Sequence, residues 1–414
     1  MTRSKRTFAV ATNFAFLLVC ASPACAVRLT DKNSPADNGA VTGAPVDCLQ
    51  ITPVGTGAPG TAAALKLVGR YDMTDPAGAK FDWSGNYITA SFNGTEVSAG
   101  IEVPEGQDND FVFTAVVDDL PPINFRVTPQ QKSYLIASGL PAGDHEVVVM
   151  RNSEALNGTT IYTGFNFGAD GVPLPPTERP RRIEFIGDAI TCGYGILGTN
   201  ASCPDDIEIR AATENIYLAY GSQTARTLSA DVVTTCFSGK GVVFNYQEKP
   251  NDLDATTTIP QYYERTIATQ ADPPWSFAEP EPDVVVISAG TSDFMRDVNM
   301  DGIADGIDLD AFHDGYLAFV KSVRSRRPNA HIFMAVSPML TDEFPLTNSR
   351  RDMRDVLGRI ASEMADSGDM KVYRIEFVEM GDRYGYGCEY YPNLDVHRIM
   401  ANQLVGAIRQ KTCW

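Results

Sequence analysis

The chain has 414 residues, of which 43% are hydrophobic and 21% charged, with 34 glycines, 26 prolines and a formal charge of −18. Such proportions belong to folded soluble proteins, and the length exceeds one typical domain, so two domains rich in turns are expected. The negative balance disfavours nucleic acid and anionic membrane surfaces as partners; a neutral ligand such as a sugar fits better.

At the amino end, Arg3, Lys5 and Arg6 precede an apolar run from Phe8 to Val19, and Ala24-Cys25-Ala26 offers a small-x-small cleavage site. This predicts a signal peptide over 1–26 and a secreted, extracellular protein. The run is broken by Thr12 and Asn13 and is shorter than the roughly 20 residues a membrane span needs, and no later stretch reads as a span. Residues 27–63 read as a loose polar arm. From 64 to 170, short β-branched or aromatic runs such as 87–92, 111–117 and 145–150 alternate with Gly, Asp and Asn, the pattern of an antiparallel β-sandwich. A proline-rich linker over 171–180 follows, then a third region, 181–414. There, apolar strands at 182–187, 231–237, 283–289, 331–336 and 371–377 alternate with helical periodicity near 212–229, 258–269, 309–327, 349–366 and 393–411. Alternation of this kind implies a three-layer α/β domain with a parallel sheet, whose ligands bind beyond the carboxyl ends of the strands.

Export permits disulfides. Cys20 and Cys25 fall in the leader, and Cys48, Cys192, Cys203, Cys236, Cys388 and Cys413 remain; with no Cys-x-x-Cys among them, structural bridges of unassigned pairing are expected. Asn93, Asn157 and Asn200 open Asn-x-Ser/Thr sequons and are candidate glycan acceptors in a eukaryotic setting.

Four loops at strand ends carry the distinctive residues: Gly187-Asp188-Ala189, Ser238-Gly239, Gly290-Thr291-Ser292-Asp293 and Glu389-Tyr390-Tyr391-Pro392. With Gly69-Arg70-Tyr71-Asp72 and Phe81-Asp82-Trp83 in the front region, and Arg181 to Asp188 at the junction, the chain resembles the SGNH hydrolases, specifically carbohydrate esterase family two. The resemblance implies a flavodoxin-like hydrolase domain behind a β jelly roll, and acetylxylan-esterase-like chemistry with no catalytic cofactor. In that family, serine attacks the acetyl carbonyl, histidine takes its proton, and a glycine N–H and an asparagine amide hold the oxyanion. Carried over by position, Gly239 matches the oxyanion glycine, but Ala189 stands for the nucleophile, Ser292 for the asparagine, Tyr391 for the histidine and Glu389 for the acidic residue.

A methyl group cannot attack a carbonyl, and a phenol is a poor base at neutral pH. The resemblance therefore implies a pseudoenzyme that binds cell-wall polysaccharide, acetylated glycan or a partner protein. Two other readings stay open: an active O-deacetylase using Thr191, Cys192 or Ser238, or a structural wall protein. Of the four histidines, His145, His313 and His331 fall in the wrong places, and His397 lies on the last helix, turned away from position 391. Tyr194, Trp275 and Phe294 are candidate sugar-stacking rings, and Tyr71 and Trp83 candidates on the front domain. An open cleft at Ala189 would favour ligand binding; a plugged one, a scaffold role.

One further motif runs from Asp297 to Asp308. Asp297, Asn299, Asp301, Asp305 and Asp308 occupy loop positions 1, 3, 5, 9 and 12, Ile303 offers its carbonyl at 7, and Gly302 sits at the sharp turn, the spacing of a structural Ca2+ loop. Aspartate replaces the usual glutamate at position 12.

Overall fold

The computed structural model describes residues 65–107, 109, 111–203, 212–247 and 256–414. The expected leader, the arm over 27–63 and Cys48 lie outside them. The chain divides into Met1–Asp37 and Asn38–Trp414, and all that follows concerns the second unit.

Its front half is one antiparallel eight-stranded sheet made of β1 (Lys66–Val68), β2 (Ala79–Phe81), β3 (Tyr87–Glu102), β4 (Phe111–Val117), β5 (Ile123–Val127), β6 (Ser133–Arg151), β7 (Thr160–Asn166) and β8 (Val172–Leu174). The order is β2-β7-β3-β6-β4-β5, with β1 and β8 also paired to β3. Two of the expected short strands prove to be ends of the much longer β3 and β6. Asn93-Gly94 and Gly143-Asp144 look like turn punctuation, yet they pair with each other across the ladder, Asn93 with Asp144 and Gly94 with Gly143. Register shifts just beyond, between Gly94 and Glu96 and between Val97 and Ser98, are irregularities of the kind that bend a strand. Apolar rings including Phe81, Phe92, Phe111 and Phe113 form its buried core. The expected linker is partly sheet, since Val172–Leu174 pairs with β3 as β8.

Behind it, β9 (Arg181–Gly187), β10 (Ala230–Cys236), β11 (Val284–Ser288), β12 (His331–Val336) and β13 (Val372–Glu376) form a wholly parallel sheet in the order β10-β9-β11-β12-β13. Numbered along the chain this is 2-1-3-4-5, the doubly wound order of flavodoxin-like folds. The helices are α1 (Ala189–Cys192), α2 (Tyr220–Thr227), α3 (Ile259–Tyr262), α4 (Thr291–Phe294), α5 (Leu309–Arg326), α6 (Ser349–Asp366) and α7 (Leu394–Thr412). The three long ones match their periodicity. Within the expected 212–229 span, 212–213 and α2 are helical, and within 258–269 only α3 is, because local and tertiary bonds intervene: Asn215 turns its side-chain oxygen onto the Leu218 N–H, and the chain after Tyr262 leaves its helix to meet the front sheet.

That meeting explains the front-domain motifs. Arg70 is fully buried, donates to the carbonyls of Tyr263 and Arg265, pairs with Glu184 at 3.4 Å and lies over the Tyr263 ring at 4.9 Å. Asp82 accepts from the Ala268 and Thr269 N–H groups at 2.8 and 3.0 Å, and Trp83 donates its indole N–H to Thr266 O at 3.0 Å. Gly69 has φ +116°, and a Cβ there would fall 2.1 Å from the Asn86 oxygen. Tyr71 and Trp83 are therefore buried, and the sequence expectation that they stack on sugars is corrected: they are core and domain-clamping residues.

Candidate functional site

The four singled-out loops meet beyond the carboxyl ends of β9, β10 and β11. After β9, Asp188 caps α1 through Oδ1, which accepts the Ile190 N–H at 3.0 Å, and this places Ala189 as the first helical residue. Gly187 permits the tight turn, since a Cβ there would lie 2.1 Å from Thr191 Oγ1. After β11, Gly290 (φ +118°) opens α4 and turns Ser292 toward the same edge. The neighbouring Asp293 is buried and accepts three backbone N–H groups, Val242 at 2.8 Å and Val243 and Phe244 at 2.7 Å each. It thereby pins the loop after β10, in which Tyr246 N–H donates to Gly239 O at 3.0 Å. Burial pushes the Asp293 carboxyl up to about 7.

The last loop is held by a Cys203–Cys388 disulfide and by two backbone bonds, Cys388 N–H to Gly195 O and Glu389 N–H to Ala201 O, both at 3.0 Å. Glu389 and Tyr390 are consecutive non-glycine residues with φ of 50° and 61°, a costly left-handed pair that projects Tyr390 outward. Tyr391 follows, half-buried, its ring 4.7 Å from that of Tyr194, whose hydroxyl donates to Glu389 Oε2 at 3.1 Å. Burial, with Asp188, Tyr194, Glu154 and Glu389 close by, drives the Tyr391 phenol far above its ordinary value, so it holds its proton.

Together these segments line an open cleft of about 350 Å³ whose walls include Ala189, Gly239, Ser292, Glu389 and Tyr391. All five sequence-assigned positions therefore converge. Asp188 lines it too; burial pushes its carboxyl up to about 6, and its Oδ2 has no hydrogen-bond partner among the described residues.

Each substitute nucleophile is otherwise engaged. Cys192 is disulfide-bonded to Cys236, Thr191 Oγ1 lies 2.9 Å from the Tyr220 hydroxyl, and Ser238 Oγ donates to Glu154, whose other oxygen accepts the Ser238 N–H at 3.0 Å. His397 sits fully buried one turn into α7, where Nδ1 accepts the Tyr220 N–H at 3.1 Å and burial pushes the imidazole down to about 3. His145, on β6, contacts Asp118 at 2.6 Å; His313, on α5, contacts Glu363 at 3.1 Å; His331 opens β12 at the opposite sheet edge.

Of the expected aromatics, Tyr194 is buried behind the cleft, Phe294 packs on Phe312 at 5.3 Å, and Trp275 faces Arg70 at 5.6 Å. The exposed rings on the cleft are Tyr246 and Tyr390, which the sequence reading missed. Glu154 was missed as well, because the front sheet delivers it from a loop with no motif.

Other expectations settle locally. Cys413 is also disulfide-bonded. Asn93 and Asn200 are exposed, whereas Asn157 is buried, which makes it the least accessible of the three sequons. In the acidic loop, Asp297 accepts the N–H groups of Asp301 and Gly302 at 3.1 and 2.9 Å, Asn299 that of Asp301 at 2.9 Å, Asp301 that of Ile303 at 2.8 Å and Asp305 that of Val298 at 2.6 Å. Asp308 caps α5, and among the described residues no three acidic groups converge as metal ligands. No helix among them is long and apolar enough to cross a membrane.

The 2-1-3-4-5 parallel sheet, a capped turn after its first strand and a cleft walled by the third and last loops define a GDSL-type hydrolase fold. The family described as GDSL-like Lipase/Acylhydrolase matches residues 185–399, and that described as Carbohydrate esterase 2 N-terminal matches 67–176. The chain is similar to Cellulase/esterase CelE of Acetivibrio thermocellus, 34% identical over 84% of this chain but only 39% of that protein's length. It is also similar to an acetylxylan esterase / glucomannan deacetylase of Cellvibrio japonicus, 26% identical over 84% of this chain and 91% of the relative. The solved structure of a family two carbohydrate esterase from Clostridium thermocellum in complex with cellohexaose superposes with a TM-score of 0.72, at 33% identity over 84% of this chain and 99% of that one. The chain belongs to carbohydrate esterase family two.

Proposed function

We propose that the protein is a secreted member of this family that has lost ester hydrolysis and uses the retained cleft to hold a glycan chain. The observation that carries the reading is the pairing of Ala189 with Tyr391 on one open 350 Å³ cleft. An alanine methyl and a protonated phenol line the cleft at the positions where attack and proton transfer would be needed, and neither can perform them. The cleft itself is retained, with exposed tyrosines at its mouth, which favours ligand binding over a purely structural role. Cellohexaose in the Clostridium thermocellum structure makes a β-linked glucan or acetylated wall polysaccharide the first class to try. Hydrolysis through another nucleophile has no comparable support, since Thr191, Cys192 and Ser238 are each engaged elsewhere.

The front sheet, curled by its long bent strands, serves in this reading as the family's jelly roll. The loop over 297–308 is proposed to hold one structural Ca2+: its turn is already formed around Gly302, and Asp297, Asn299, Asp301, the Ile303 carbonyl and Asp305 are the candidate ligands. Asp308, engaged as a helix cap, contributes least.

Isothermal titration with cellohexaose and xylohexaose tests the binding claim. Saturable heat that is lost in Tyr390→Ala supports it. No heat with either sugar, or heat unchanged in that variant, rejects it.

A further inference from the structure

We propose a second saccharide site, separate from the Ala189 cleft, in the groove between the front sheet and α2. This cavity has a volume of about 400 Å³, somewhat more than the first. Val116, Val148 and Met150 of the sheet and Ala230 and Val232 of β10 provide an apolar floor. Because Ala230 opens β10, the groove lies toward the amino ends of the strands, whereas the cleft lies beyond their carboxyl ends. A chain in one leaves the other free.

Three polar features mark the groove as built for a ligand rather than left over from packing. Ser222 is 2% exposed, lines the groove, and its Oγ has no hydrogen-bond partner among the described residues. A buried hydroxyl without a partner is costly, so it marks a place where another group is wanted. Arg226 lies over the Tyr217 ring at 3.9 Å and gives Nη1 to the Tyr217 carbonyl at 2.7 Å, but no carboxylate among the described residues lies within ion-pair distance of it. Asp119, in the turn after β4, lines the same groove, and no cation among the described residues lies within ion-pair distance of it. Two opposite charges therefore line one groove without joining each other. Glu146 and Arg179, which also line the groove, approach only to 3.9 Å.

The mixture selects the ligand class. Asp118 is already paired with His145 at 2.6 Å, which leaves the carboxylates of Asp119 and Glu146 balanced by the guanidiniums of Arg179 and Arg226, so the groove favours neither an anion nor a cation. A neutral sugar satisfies both kinds of group: adjacent hydroxyls donate to a carboxylate and accept from a guanidinium, and the C–H face of the ring lies on the apolar floor.

Affinity electrophoresis through gels containing soluble xylan or glucomannan tests this with the full chain. The groove variant is Asp119→Asn with Arg226→Ala; the cleft variant is Tyr390→Ala; all three residues are surface-exposed, and Asp119→Asn alone guards against misfolding. We expect the groove variant to bind about tenfold more weakly than wild type, as removal of charge-assisted hydrogen bonds would produce, and the combined variant to lose retardation. Asp119→Asn alone should already weaken binding with an unchanged melting temperature. Retardation of the groove variant equal to wild type, with loss only in the cleft variant, overturns the second site and leaves the first standing. No retardation of wild type in either gel overturns both.

Discussion

Restoring the family's residues at Ala189, Ser292 and Tyr391 should restore hydrolysis, but only in combination. Ala189 is the first residue of α1 and lines a 350 Å³ cleft, so a hydroxyl added there meets open space. Residue 391 is held by the Cys203–Cys388 disulfide and its neighbouring backbone bonds, so a histidine would be presented from the same anchored loop. Loss of nucleophile or base in serine hydrolases costs roughly a millionfold in turnover, about 8 kcal/mol. Ala189→Ser alone should therefore stay near background, because its hydroxyl would face a protonated phenol, and Tyr391→His alone should do no better. The double change should exceed the sum of the single ones by orders of magnitude, and Ser292→Asn should add about 10²-fold, the value of one oxyanion donor. Initial rates of aryl acetate hydrolysis, with melting temperatures to verify folding, measure this. A folded double variant no faster than Ala189→Ser alone would refute the reasoning.

The buried carboxyl of Asp188 gives a pH test. Its folded-state value near 6 lies above the ~3.9 of an unfolded aspartate, so the native state binds the extra proton and this group's contribution improves as pH falls from 6 toward 4. Asp188→Asn keeps the cap on α1, so it should raise stability at pH 7.5 by about 3 kcal/mol and the gain should vanish near pH 4; calorimetric melts showing a difference independent of pH would contradict this. Arg70→Ala removes the donor to two buried carbonyls and one partner of Glu184, which keeps Arg327 at 2.8 Å. We expect a loss of about 3 kcal/mol, a fall of roughly 6 °C in thermal melting, and unchanged melting would deny the clamp its role. Saturating calcium, at about a hundred times its dissociation constant, should add about 2.7 kcal/mol, and melts identical in calcium and chelator would discard the 297–308 site.

The α/β half was legible in the sequence because the parallel strands are short, mostly buried runs rich in β-branched and aromatic residues and each long helix carries a continuous periodicity. Residues at strand ends were legible for a related reason: in such sheets the chain must leave the strand there, so the loops after Gly187, Phe237 and Ala289 had few other places to go. The front half was read less well. Turn-forming residues at Asn93-Gly94 and Gly143-Asp144 imply breaks when seen singly, and only their pairing across the ladder reveals long strands. Tyr71 and Trp83 were misjudged because an aromatic beside a motif has the same sequence signature whether it faces solvent, a guanidinium or the core. Glu154 left no signal, since its role depends on how one half of the chain meets Ser238 of the other.

The central claim, that Ala189 and Tyr391 have ended ester hydrolysis while the cleft endures, is tested most directly by acetate release from acetylated xylan and glucomannan. The account predicts release by the purified protein no greater than that of a mock preparation. Sustained release well above it, abolished by Thr191→Ala or Ser238→Ala in a protein that still folds, would contradict the claim.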